Sequence, residues 1–113
     1  MTTAAIGPGT PNTLQSATTT GNGTAVVIPA SFRSHTFYIT GSAGVSAGAV
    51  TIETAPTADY AGTWQTCAAA VTVTAGATKT VELSDKAYAA LRARVSTNVT
   101  GTNGNVTVTY IGN

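Results

Sequence analysis

Apolar and polar residues alternate at every second position along most of this sequence, in short runs that end at Gly, Pro, Asn or Ser. Successive side chains of a β-strand point to opposite faces, so a period of two is typical of a strand with one buried face. The clearest examples are residues 34–40, 91–95 and 106–110. The pattern predicts a chain built from short strands.

The alternation also predicts which side chains face the core. In residues 34–40, His35, Phe37 and Ile39 share one face, whereas Tyr38 lies on the other. In the run around Val50, Val50 and Ile52 point inward and Glu53 points outward. Further strands are predicted at 13–19, 24–28, 63–68, 70–74 and 79–83, with 13–19 so polar that an edge position is expected. Further inward positions are Val71, Val73, Val81, Leu83, Leu91, Ala93, Val95, Val106, Val108 and Tyr110.

Helical signals are confined to residues 84–90, where Ser84 could cap a single turn before the next strand begins. Parallel strands need a long crossover connection, usually a helix, and no segment is suitable. The sheets are therefore expected to be antiparallel. The predicted fold is an all-β, antiparallel two-layer β-sandwich or jelly roll of about eight strands.

The 113 residues fit one domain. Residues 1–12 contain two prolines and two glycines with almost nothing to bury, so they are predicted to form an extended N-terminal arm, followed by a β-sandwich domain at 13–113. An extended arm can lie across a neighbouring protein. Ile6, Pro8 and Pro11 are its candidate partner-binding residues, with Ile6 the one sizeable apolar side chain in the arm proper.

Charge is scarce, since Asp, Glu, Lys and Arg make up 8% of the chain and the net charge is +1, against roughly 25% charged residues in an average protein. Such a surface is unusual for a free monomer and is expected to be covered in part by neighbours. The alternative is a monomer kept in solution by its Thr, Ser and Asn side chains. The five basic residues are dispersed, so nucleic acid is not an expected partner.

Cys67 is the single cysteine, which excludes an intrachain disulfide, and it is expected to be a reduced, buried small residue. The N-terminal sequence has neither the basic nor the apolar region of a signal peptide. No run approaches the ~20 apolar residues of a membrane span. The expectation is synthesis in a cytoplasm, with no membrane contact.

Catalytic candidates are weak. Ser46 lies in a Gly-x-Ser-x-Gly sequence, but the nucleophile elbow of hydrolases needs a following helix and a later histidine, whereas His35 comes before it. His35 is expected at the core edge or an interface, and Glu53 and Glu82 are expected to be solvated or interface charges. One His and one Cys do not suffice for a metal site. No catalytic, cofactor or metal site is predicted, and the protein is not expected to be an enzyme.

Three aromatic residues, Tyr60, Trp64 and Tyr88, could stack on sugar rings as in a carbohydrate-binding module. The other interpretation makes Trp64 an anchor of the sandwich core with the tyrosine hydroxyls at its rim. It is preferred because residues 59–64 have the composition of a tight turn that leads into a strand.

The order of the segments resembles small virion proteins of tailed bacteriophages. The resemblance covers the chain from about Thr13 and is carried by Thr/Gly/Ala-rich strands, a Gly-Thr-Trp-Gln turn at 62–65, Leu-Arg-Ala-Arg-Val at 91–95 and Gly-Asn-Val-Thr-Val-Thr-Tyr at 104–110. It is strongest with head decoration, or cement, proteins.

This resemblance implies a virion protein that binds the outside of the capsid and clamps neighbouring shell subunits, and that is itself a homo-oligomer, with a trimer favoured. The major capsid protein or another virion protein is then the partner. The face around Tyr38, Arg92 and Arg94 is a second candidate contact surface beside the arm. A tail, collar or fibre component and a carbohydrate-binding adhesion module remain as alternatives.

Overall fold

The computed structural model describes residues 7–17 and 21–113. In these residues the chain forms ten strands and no helix. They are β1 (Asn12–Ala17), β2 (Gly21–Asn22), β3 (Val26–Val27), β4 (Ser34–Gly41), β5 (Ala47–Ala55), β6 (Gln65–Thr66), β7 (Val71–Thr72), β8 (Thr78–Ser84), β9 (Ala90–Thr100) and β10 (Val106–Gly112).

The strands form two antiparallel sheets. The four-stranded sheet has the order β1-β10-β4-β8, and the six-stranded sheet has the order β2-β9-β5-β6, with β3 also paired to β9 and β7 also paired to β5. Every strand pair is antiparallel. The predicted all-β, two-layer antiparallel sandwich is confirmed, and β1 is an edge strand as its polar sequence indicates.

The core lies between the two sheets and is filled by the inward residues of the alternating runs. Phe37 and Ile39 of β4 face Val50 and Ile52 of β5, and all four are at most 2% exposed. Six inward residues of β9 and β10 are 0% exposed: Leu91, Ala93, Val95, Val106, Val108 and Tyr110. Alternation in the sequence was thus a correct guide to burial in β4, β9 and β10.

The predicted helical turn at 84–90 is wrong. Asp85 has a φ of 59°, in the left-handed region that a right-handed turn cannot include. The backbone N–H of Lys86 donates to Arg33 O at 3.2 Å instead, which ties this connection to the start of β4. No helix capable of crossing a membrane occurs in the described part of the chain.

The predicted strands at 63–68 and 70–74 shrink to β6 and β7, of two residues each. Both pair with β5, at different positions along it. Most residues of these two segments are exposed. They therefore lack the buried face that would stabilise longer strand pairing. The predicted strand at 13–19 is β1 as far as Ala17, and its last two residues lie outside the described residues.

Candidate interaction surfaces

The described part of the N-terminal segment runs beside its own sheet. The Gly9 N–H donates to Gly112 O at 2.8 Å, and Asn12 begins β1 opposite Tyr110. Pro8 and Pro11 are exposed. Ile6, the predicted anchor of the arm, lies outside the described residues. The partner-binding role of the arm stays a prediction.

Tyr38, Arg92 and Arg94 do not form one face, so this part of the prediction is wrong. Tyr38 is on β4 of the four-stranded sheet, with its side chain directed away from the core and 37% exposed. The two arginines are on β9 of the six-stranded sheet, where they alternate with buried Leu91 and Ala93. The tyrosine and the arginines therefore lie on opposite outer sides of the sandwich.

The outer side of the four-stranded sheet is rich in threonine and nearly free of charge. Register places Thr80 and Thr109 opposite Tyr38 on its two sides, and Thr40 opposite Thr78, with their hydroxyls 2.9 Å apart. We call this surface the threonine face. Its threonines are Thr13, Thr36, Thr40, Thr78, Thr80, Thr107 and Thr109, and the same face carries Ser16, Ser34, Tyr38, Glu82, Ser84 and Ile111.

The outer side of the six-stranded sheet carries a buried ion pair. Arg92 Nε donates to Glu53 Oε1 at 2.9 Å, and Arg94 Nη1 lies 3.7 Å from Glu53 Oε2. These residues meet because β5 and β9 pair Glu53 with Arg92 directly. Glu53 is only 6% exposed. The expectation of a solvated charge at Glu53 is therefore wrong, because its carboxylate is buried and paired with two arginines.

Trp64 covers this ion pair. The Arg92 guanidinium carbon is 4.2 Å from the indole centroid, and the indole N–H donates to Tyr60 O at 3.0 Å. Trp64 packs on Ala55 and Ala90, which share the face of Glu53 and Arg92. Trp64 is thus a buried anchor, but on the outer side of the six-stranded sheet rather than between the sheets. At 7% exposure it offers no open ring face to a sugar.

His35 is a buried structural histidine at the core edge, as predicted. Its Nε2 lies 2.9 Å from the Lys86 carbonyl, which can only accept, so Nε2 carries the proton. Its Nδ1 then accepts from the Tyr110 hydroxyl at 2.7 Å. Both ring nitrogens are engaged, and the Ser46 hydroxyl pairs with that of Thr100 at 3.0 Å rather than with His35.

Cys67 is half-buried against the core rather than fully buried, and its N–H donates to Ile52 O. Burial raises the pKa of the thiol from 9.0 to about 11, a hydrogen bond from Tyr88 opposes that shift, and the Glu53 carboxylate adds to it. Burial likewise raises the pKa of Tyr88. The thiol is therefore held protonated at neutral pH. Among the described residues, no group of three His, Cys, Asp or Glu side chains could hold a metal.

A groove of about 830 Å³ opens at one end of the sandwich. Three connections form it: the one from β3 to β4, the one from β5 to β6 and the one from β8 to β9. Val27 is 52% exposed there, more than any other large apolar residue described. The lining residues are Val27, Ile28, Ala30, Arg33, Pro56, Thr57, Ala58, Asp59, Ala87, Tyr88 and Ala89.

Two opposite charges lie at the groove, Arg33 on one connection and Asp59 on another. Both are exposed, and neither forms an ion pair in the described part of the chain. The rest of the lining is uncharged. The groove is thus an open, largely apolar surface with one free cation and one free anion.

Comparison with known proteins gives one informative result. Neither a known protein family nor a curated protein sequence matches the chain. A solved structure does: the SPBc2 prophage-derived protein YomS is similar with a TM-score of 0.63 and 18% sequence identity, over 91% of this chain and 90% of that one. At this identity the likeness establishes a shared fold across nearly the whole of both chains.

The sequence alone did not reveal the groove, because it is assembled from three segments that are far apart in the chain. One signal was present. Val26, Val27 and Ile28 are three consecutive apolar residues in the strand predicted at 24–28, so the middle one must point away from the other two. Val26 and Ile28 are buried and Val27 is exposed.

Proposed function

We propose that this protein is a structural subunit of a tailed-bacteriophage virion, and that it acts as a decoration or cement protein on the outside of the head. The observation that carries the proposal is the shared fold with a prophage-derived protein over nine-tenths of both chains. The segment order from about Thr13 onward, which resembles cement proteins, supports the same role. In this role the protein binds and packs, and it performs no catalysis.

The threonine face is the surface we assign to the shell. It is a flat sheet face whose β-branched side chains lose little rotamer freedom when another surface covers them. Their hydroxyls can donate and accept hydrogen bonds, and Tyr38 supplies an aromatic anchor near the middle. Each such contact is weak, but repetition over a capsid lattice multiplies the binding strength.

The test compares phage particles with and without this protein. Particles that lack it should assemble, and they should lose infectivity faster than wild-type particles under heat or low-salt shock. Adding purified wild-type protein should restore resistance, because a clamp acts after the shell is built. Particles that resist equally well without the protein, or that fail to form, would contradict the cement role.

A matched pair of tyrosine variants tests the assigned surface. Tyr38 and Tyr60 have similar exposure, 37% and 40%, but Tyr60 lies in the connection after β5, away from the threonine face. Tyr38→Ala should fail to restore resistance, whereas Tyr60→Ala should restore it. Equal restoration by the two variants would exclude the threonine face as the shell contact.

The tail, collar or fibre alternative fits the same fold, since a likeness to a prophage protein does not specify a position in the particle. The carbohydrate-binding alternative is weakened by the burial of Trp64, which leaves Tyr60 and the half-buried Tyr88 as its aromatic candidates. Retention of the protein on purified tails would favour the first alternative. Saturable binding to an immobilised glycan array would favour the second.

A further inference from the structure

We propose that the groove at the end of the sandwich is a contact between two copies of this chain related by a two-fold axis. The contact does not depend on the virion role, because it concerns the protein's association with itself. The proposal rests on three observations: the apolar lining of the groove, the exposed Val27 and the two unpaired charges of opposite sign.

The apolar lining favours a partner that excludes water. Eight of the groove residues are Val, Ile, Ala, Pro or Tyr: Val27, Ile28, Ala30, Pro56, Ala58, Ala87, Tyr88 and Ala89. Val27 leaves about half of its side chain in solvent in the single chain. Covering such a surface is favourable because it removes apolar area from water. A copy that presents the same surface supplies the matching apolar area.

The two charges select a second copy as the occupant. In a two-fold contact, if residue i of one copy meets residue j of the other, then j also meets i. A copy placed over the groove can therefore bring its Asp59 to Arg33 and its Arg33 to Asp59, which forms two ion pairs. A partner surface of a single charge sign would leave one of the two residues facing a like charge.

The overall electrostatics do not oppose this association. The net charge of the chain is +1, so two copies experience little long-range repulsion. Of the remaining arginines and glutamates, Arg92, Arg94 and Glu53 are engaged with one another on the outer side of the six-stranded sheet. The groove charges are free to pair with another molecule.

Charge reversal tests the contact with the purified full-length protein. Sedimentation equilibrium should show a concentration-dependent dimer for the wild type. Arg33→Asp and Asp59→Arg should each weaken dimerisation by at least about tenfold, equivalent to ~1.4 kcal/mol, because each substitution places two like-charge contacts in the interface. The backbone bonds of Arg33 to Lys86 and Asn113 are retained in the Arg33 variant.

Restoration is the decisive result. The double variant Arg33→Asp with Asp59→Arg should dimerise like the wild type, since both pairs form again in the opposite sense. An equimolar mixture of the two single variants should form a heterodimer, because one chain then carries two acidic groups and the other two basic groups. Lys79→Asp, on β8 and outside the groove, is the control and should leave dimerisation unchanged.

Folding is checked by the thermal midpoint of each variant, and Val27→Ala provides an independent probe. It should weaken dimerisation without altering the midpoint of the monomer. A wild-type protein that stays monomeric at millimolar concentration would overturn the proposal. A trimer, or single reversals that dimerise as well as the wild type, would overturn it too.

Discussion

At the residue scale, the hydrogen bond between His35 and Tyr110 shows how a polar pair is accommodated in an apolar core. Tyr110 is 0% exposed and His35 is 1% exposed, yet each polar atom has a partner. The pair joins β4 to β10, and the Lys86 carbonyl extends it to the connection before β9. The histidine that the sequence places at the core edge thus holds the end of the sandwich together.

Tyr110→Phe tests whether the hydrogen bond between His35 and Tyr110 stabilises the fold. The substitution keeps the ring but removes the hydroxyl that donates to His35 Nδ1, so a buried acceptor loses its partner. We expect the free energy of unfolding to fall by about 1–3 kcal/mol, the usual cost of an unsatisfied buried group. Urea denaturation measures it. Tyr38→Phe, with an exposed hydroxyl, is the control, and an equal loss in both variants would contradict the structural role of the hydrogen bond.

Alkaline pH should destabilise the fold through three acidic side chains whose pKa is raised by burial: Cys67, Tyr88 and Tyr110. Burial raises the pKa of Tyr110 from 10.0 to about 12 and that of Cys67 from 9.0 to about 11. Above the ordinary values the unfolded chain releases these protons before the folded chain does. Stability is therefore fully present below pH 9 and falls as pH rises through the range from 9 to 12.

Thermal midpoints measured from pH 7 to 11 check this expectation. Cys67→Ala should remove the part of the decline that begins near pH 9, because only the thiol has that ordinary pKa. The variant should keep the decline above pH 10 that belongs to the tyrosines, Tyr110 above all. An unchanged midpoint across the whole range would contradict the burial of these groups.

At the element scale, the connection from β5 to β6 acts as a cover for the outer side of the six-stranded sheet. Trp64 is its central residue, since it stacks on Arg92 and packs on Ala55 and Ala90. Trp64→Ala should lower the free energy of unfolding by about 3–5 kcal/mol, the range for a buried aromatic residue. Tyr60→Ala, in the same connection, should cost much less.

Chemical denaturation of these two variants decides between the possible uses of Trp64. A stable Trp64→Ala protein would mean that the indole is not an anchor, and would return the carbohydrate-binding interpretation to consideration. A strongly destabilised protein would agree with the structure, in which Trp64 covers the outer side of the six-stranded sheet. Loss of the cover should also expose the ion pair of Glu53 and Arg92 to water.

The long strands could be predicted from the sequence, because each buries one face and alternation records that face directly. β4, β9 and β10 follow this pattern closely. Two kinds of feature could not be predicted from the sequence. Glu53 has an outward position in the alternation and is still buried, since a loop and two cross-strand arginines cover it. The groove depends on three connections whose proximity is set by tertiary packing.

The candidate contact residues were also only partly predictable from the sequence. Tyr38 was correctly placed on an outer face by alternation, but its position relative to Arg92 and Arg94 depends on which sheet each strand joins. Strand order is not encoded in the period of a single strand. The sequence therefore identified outward side chains without showing which of them share a surface.

At the scale of the whole molecule, deletion of the N-terminal segment tests whether its role is separable from the fold of the sandwich. Removal of residues 1–11 should lower stability only slightly, by about 1 kcal/mol or less, the net value of one hydrogen bond. In the described residues, the truncation removes the bond from the Gly9 N–H to Gly112 O and an exposed bond from Asn12 Nδ2 to Thr10 O. Attachment to phage heads should weaken if the arm binds a neighbour. Undiminished attachment would assign the contact to the sandwich alone.

The central claim is that this protein is a cement subunit on the outside of a phage head. Cryo-electron microscopy of purified particles of the phage proposed to carry it tests the claim most directly. We predict density on the outer head surface at local symmetry axes, into which the two-sheet sandwich fits with its threonine face towards the shell. Density on the tail or collar, or a complete absence of the protein from the particle, would contradict the claim.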